Sequence, residues 1–168
     1  PANDNMTLAI NVTKADVDAL LTAAGLATDV LQLSVQPLIV RTPDRVLLFD
    51  TGNGPSGMLS ASMATAGVEP AEVTDIFISH SHGDHVGGLV DADGALAFPN
   101  ADIHISVNEW AAMQVNVQLA SRVTAISPRV VAFEPGADRV PGVVKAVDIQ
   151  GHTPGHSGFL ITSGEASL

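Results

Sequence analysis

The sequence predicts a layered α/β fold, and three observations carry that expectation. β-branched, apolar runs of strand length alternate along the chain with short helix-like segments, strands outnumbering helices. Hydrophobic residues make up 46% of the 168 residues, enough to build a real core in a single domain spanning 1–168. No internal repeat, low-complexity tract or linker interrupts the alternation.

The elements follow in order. "VTKADVDALLTAAG" reads as a helix with Thr13 as N-cap, Asp16 in the first turn and Gly25 just past the end. "VLQLSVQPLIV" is broken by Pro37, so a strand pair or a bulged edge is expected there. "VLLFD" is a buried strand ending on Asp50, and "TGNGPSG" is a Gly-rich loop. "MLSASMATAG" is a second helix, ended by Gly67. "TDIFISH" is a strong strand over Asp75–Ser79 that runs straight into a histidine cluster. "ADIHISV" alternates, with Ala101, Ile103, Ile105 and Val107 on one face, which leaves His104 on the other as a surface histidine. "NEWAAMQVNVQLA" looks helical, with Asn108 as its cap and Trp110 as a packing residue. "VVAF", "VVKAVDI" and "GFLIT" are strands.

Composition excludes several function classes. The net charge of −11 repels phosphate backbones, so nucleic acid is a poor partner. No apolar run approaches the length of a membrane span, and no membrane partner is expected. With no cysteine, disulfides, thiolate-bound zinc, iron–sulfur clusters and thiol catalysis are all excluded. The segment "GNGPSG" lacks a Gly-x-Ser-x-Gly elbow, so Ser56 is a weak candidate for a serine nucleophile.

Five of the six histidines fall in two short windows, "HSHGDH" over 80–85 and "GHTPGHS" over 151–157. A lone histidine is usually a satisfied polar group; five in two Gly-rich loops beside strands point to a metal site. His80 and His82 are two apart, so in extended chain they face one side and can meet one ion. Asp84 and His85 diverge from each other and suit a second ion beside the first. Gly87 and Gly88 permit close backbone approach. A further ligand is needed, and His152, at the exit of a strand, fits best; His156 is placed behind it as a supporting group. Imidazole and carboxylate donors without thiolate suit zinc, with iron, manganese or cobalt as alternatives.

These residues resemble a family. "HSHGDH" is similar to the His-x-His-x-Asp-His signature of the metallo-β-lactamase superfamily. "GHTPGHS" resembles its next histidine motif, and "LLFDTGNG" its early Asp-Thr-Gly motif. The wording "DGALAFPNADIHISVNEW" further resembles the branch of methyl-parathion-hydrolase-like and acyl-homoserine-lactone-lactonase-like enzymes. The resemblance implies an αβ/βα four-layer sandwich with two metals between the sheets. It implies His80, His82 and His152 on the first metal and Asp84 and His85 on the second. It places Asp50 as a support for a ligand or loop; a strand-end carboxylate taking backbone N–H bonds is the alternative. It implies a hydroxide activated by the metals, attacking a small lactone, ester or phosphotriester, with Asp84 orienting it and relaying a proton.

The family also uses a bridging aspartate and a last histidine after the second window. No Asp or His follows His156, so the second metal site and the second half of the sandwich are expected to be incomplete, as in a C-terminally truncated chain. Two other functions stay open: an iron-dependent oxidase or sulfur dioxygenase on the same fold, and a non-catalytic fragment. The expected partner is a small-molecule substrate, a homodimer stays open, and an exported, periplasmic location is slightly favoured over the cytoplasm.

Overall fold

The computed structural model describes Ala2, Asn3 and residues 11–168. The chain divides into two compact units, Pro1–Ser34 and Val35–Leu168. The first contains α1 (Lys14–Ala23). Thr13 caps it as expected: its hydroxyl accepts from the Asp16 N–H at 3.2 Å, and the Asp16 carboxylate accepts from the Thr13 N–H at 3.0 Å. That reciprocal pair satisfies two donors a helix start leaves free.

The second unit holds two sheets. Strands β1 (Leu38–Arg41), β2 (Val46–Phe49), β3 (Asp75–Phe77), β4 (Asp102–Ser106) and β5 (Val130–Phe133) lie side by side in that order. β1 is antiparallel to β2, and the remaining pairs are parallel. Helices α2 (Leu59–Thr65), α3 (Gly83–Val86), α4 (Val107–Val115) and α5 (Ala120–Ile126) lie in the connections between the parallel strands. Strands β6 (Asp138–Val140), β7 (Val144–Asp148), β8 (Ser157–Ser163) and β9 (Ala166–Ser167) form an antiparallel second sheet. The segment around Pro37 yields a single edge strand, β1, which begins directly after the proline. A proline lacks the N–H a ladder needs, so the strand starts where that need begins.

Alternation along the strands sorts side chains into two cores. Leu48, Ile76, Ile103 and Ile105 face the helices and pack with Met63, Val86, Leu89, Met113 and Ile126. Leu47, Phe49 and Phe77 face the other way and pack with Val140 and Val144 of the second sheet. On β7 the alternation continues: Val144 and Ala146 are buried, while Lys145 and Val147 are exposed. The described residues therefore build a helical layer, a mixed sheet and an antiparallel sheet, an arrangement that fits the α/β sandwich expected from sequence.

Two expectations are corrected here. Asn108 does not cap α4. Ser106, the last residue of β4, does so, its hydroxyl accepting from the Glu109 N–H at 3.2 Å, because strand passes into helix with no loop between. His104 is not on the surface. It is 6% exposed, because the face of β4 that seemed free is covered by the second sheet. Its ring stacks on Phe77 at 4.6 Å and meets the Asp75 carboxylate at 2.9 Å and an Arg139 guanidinium N–H at 3.0 Å. Arg139 can only donate, so His104 Nδ1 accepts and Nε2 carries the proton given to Asp75.

Candidate metal centre

Every predicted site residue lies at one end of the second unit, where β2, β3 and β4 reach their C-terminal ends and the β7–β8 connection comes across. Asp50 follows β2 directly, with φ at +55°, a conformation uncommon for a residue with a side chain. Such strain persists only where surroundings hold it: the Asp50 N–H donates to the Phe77 carbonyl at 2.9 Å, and its carboxylate accepts three hydrogen bonds. Its Oδ1 accepts from the Ser79 N–H at 2.8 Å, and its Oδ2 accepts from the Ser79 hydroxyl and from His85 Nδ1, each at 2.7 Å. The carboxylate thus accepts from a backbone N–H and from an imidazole of the first histidine window at the same time.

Three imidazole nitrogens converge. His82 Nδ1 lies 3.1 Å from His80 Nε2 and 3.0 Å from His152 Nε2. One ligand atom from each of these three residues falls within 4.8 Å of the others. The three nitrogens cannot all hold protons at such distances, so lone pairs point into a shared space. Four-coordinate zinc with bonds of about 2.0–2.1 Å separates its nitrogen ligands by about 3.3 Å, close to the two separations from His82. The donor set therefore fits a divalent cation.

Proton positions support the fit. Ser79 Oγ donates to Asp50 and lies 3.1 Å from His80 Nδ1, so Nδ1–H of His80 donates to that oxygen and its Nε2 is left bare. Burial, followed by the charges of His85, His156, His82 and His152, pushes the pKa of His80 down to about 4. It is therefore neutral near pH 7, the form that binds metal. The Asp50 hydrogen bond raises the pKa of His85 and directs its Nδ1–H away from the site. Its Nε2 faces Asp84 Oδ2 at 3.5 Å, forming the second group of donors. The two groups adjoin, with the His80 and His85 ring centres 3.8 Å apart. His156 packs its ring 4.6 Å from that of His80 and 5.5 Å from that of His152, and burial, then His152, lowers its pKa. His80 is buried, whereas His82 and His152 are exposed, so the trio opens to solvent on one side.

The Asp-Thr-Gly loop supports the histidine loop from beneath. Thr51 donates its N–H and its hydroxyl to the His85 carbonyl at 2.7 and 2.8 Å, and its hydroxyl accepts from the Gly88 N–H at 3.1 Å. A Cβ on Gly88 would run into the Thr51 carbonyl, which is why glycine stands there.

Sequence reasoning missed Glu109. This carboxylate is 1% exposed yet takes four hydrogen bonds, from the Ser81 N–H and hydroxyl, the Thr153 hydroxyl and the Gly155 N–H, at 2.6 to 3.0 Å. Burial alone would raise its pKa; these bonds outweigh burial and lower it. An acidic residue in the first turn of a helix is common on surfaces, so the sequence carries no mark of this role. Trp110, its neighbour, packs against the helical-side core as expected.

The chain is similar to known proteins in sequence and in fold. The sequence profile described as "Metallo-beta-lactamase superfamily" matches residues 32–168. Among solved structures, AidC, described as a dizinc quorum-quenching lactonase, superposes with a TM-score of 0.89 and 27% identity, covering 99% of this chain and 65% of that one. A quorum-quenching N-acyl homoserine lactone lactonase superposes with a TM-score of 0.61 and 26% identity, covering 76% of this chain and 55% of that one. Ribonuclease Z of Methanothermobacter thermautotrophicus is 44% identical over 52 residues, which is 31% of this chain and 16% of that protein. The chain thus spans less than two thirds of the length of each of these relatives.

Proposed function

Because the chain belongs to the metallo-beta-lactamase superfamily, we propose that it acts as a metal-dependent hydrolase on a small lactone, with other small esters and phosphotriesters as the neighbouring substrate classes. The observation that carries this reading is the convergence of His80 Nε2, His82 Nδ1 and His152 Nε2 into one space beside Asp84 and His85. The likeness to AidC over 99% of the chain favours a lactone over the other esters.

His80, His82 and His152 would hold one divalent cation, zinc by donor chemistry, and Asp84 with His85 would supply part of a second site. A cation held there supplies a Lewis acid and lowers the pKa of water to about 7. The chain's own groups do the rest. Asp50 and Ser79 fix the ring planes of His85 and His80. The Asp84 side chain is 47% exposed, placing its carboxylate where it can orient water and hold a proton passed to a leaving alkoxide. The exposed edges of His82 and His152 leave the site open to substrate. The Ribonuclease Z likenesses point to RNA instead, but they cover between 31% and 54% of the chain, and a net charge of −11 opposes a polyanion.

The test joins metal content to turnover. Purified protein is expected to hold zinc and to open N-acyl homoserine lactones, and His82→Ala is expected to lose both metal and activity. Metal-loaded protein that leaves lactones intact but cleaves an aryl ester or a phosphotriester would overturn the lactone assignment.

A further inference from the structure

We propose that Glu109 is a positioning residue that sets the distance between the two histidine loops and thereby sets metal affinity, an inference that rests on the metal-site reading above. The geometry divides the carboxylate evenly. Oε1 takes the N–H and hydroxyl of Ser81, at 2.8 and 2.6 Å. Oε2 takes the Thr153 hydroxyl and the Gly155 N–H, at 2.6 and 3.0 Å. Ser81 stands between His80 and His82, and Thr153 follows His152. One planar, rigid group therefore spans the two segments that supply the converging nitrogens.

The helix that carries Glu109 is fixed to the same place. The Ser106 hydroxyl donates to the Gly155 carbonyl at 2.7 Å while accepting from the Glu109 N–H. A Cβ on Gly155 would overlap the Glu109 nitrogen and the Ser106 oxygen, so backbone meets backbone without a spacer. All four donors to the carboxylate are neutral, and burying a carboxylate without a cation is costly until hydrogen bonds offset it. A helix start needs no such group, because Ser106 already caps it. The buried charge is accounted for by what it holds: two loops 28 and 44 residues away from it in the chain.

Glu109→Gln keeps the shape but replaces one acceptor with an N–H₂ group. Whichever way the amide turns, that group faces a backbone N–H it cannot accept, that of Ser81 or that of Gly155, so one loop is released while the other stays. Thr153→Val removes a single bond of one arm.

The experiment measures zinc affinity by competition with a chelator and the visible spectrum of the cobalt form, for wild type, E109Q, T153V and the double variant, with folding checked by circular dichroism. E109Q is expected to bind zinc about 10- to 100-fold more weakly, with shifted cobalt bands. T153V is expected to show a smaller loss, and the double variant to lose less than the two losses combined, because Thr153 acts through the carboxylate. Wild-type affinity in folded E109Q, in T153V alone should E109Q not fold, or full additivity in the double variant would assign Glu109 a merely structural role and overturn the proposal. Wild-type protein that binds neither ion would instead overturn the metal-site reading beneath it.

Discussion

Asp50 Oδ2 and His85 Nδ1 lie 2.7 Å apart, and this contact decides which nitrogen of His85 faces the site. Asp50→Asn turns one carboxylate oxygen into an N–H₂ group facing two donors, the Ser79 hydroxyl and His85 Nδ1. His85 is expected to move its proton to Nε2, which removes its lone pair from the Asp84 side. Metal bound there should weaken by about 10- to 100-fold. Isothermal titration with zinc, together with the ring-nitrogen NMR signals of His85, checks both the affinity and the tautomer.

Stability should fall in acid through Asp75. Burial would raise its pKa, but bonds from His104, Thr74 and Arg45 bring it down from 3.8 to about 2. A carboxylate with a depressed folded pKa contributes stability above its unfolded pKa and loses it as pH falls through the folded one. The contribution is about 2 kcal/mol above pH 4 and is lost between about pH 4 and pH 2. Urea unfolding from pH 6 to pH 2 should show a shallower acid limb in Asp75→Asn than in wild type.

Gly155→Ala places a methyl group against the backbone of α4 and the Ser106 hydroxyl. Neither can retreat cheaply, so a loss of about 1–3 kcal/mol or more is expected. Thermal unfolding measures it, and Gly67→Ala separates steric overlap from backbone strain, since that glycine has φ of +62° with nothing near its Cβ.

Phe77→Ala empties the layer between the sheets. The ring stacks on Phe49 at 5.0 Å and on His104 at 4.6 Å, and it is fully buried. A loss of about 3–5 kcal/mol is expected in denaturant unfolding. The midpoint should fall in proportion while the slope stays near the wild-type value.

Much of this candidate centre could be read from the sequence because most of its donor residues are close together in the chain. His80, His82, Asp84 and His85 are fixed by one strand exit and one turn of helix, so local spacing already places them side by side. His152 was legible because a strand and a Gly-Pro turn set it apart. Glu109 was not, because its meaning lies in partners 28 to 46 residues away. His104 failed for a related reason. Alternation shows which residues share a face of a strand, and only the packing of the second sheet shows what covers that face. The shift of the α4 cap from Asn108 to Ser106 is smaller, a strand-to-helix junction two residues earlier than the polar side chain suggested.

His82 and His152 are 70 residues apart in a chain without cysteine. A cation gripping both is a removable cross-link. In the chain-entropy description, tying a loop of that length reduces the freedom of the unfolded state by about 4 kcal/mol. Chelation would then do to this protein what a reducing agent does to a disulfide-bonded one, and resistance to heat and proteolysis should track the metal supply of its surroundings.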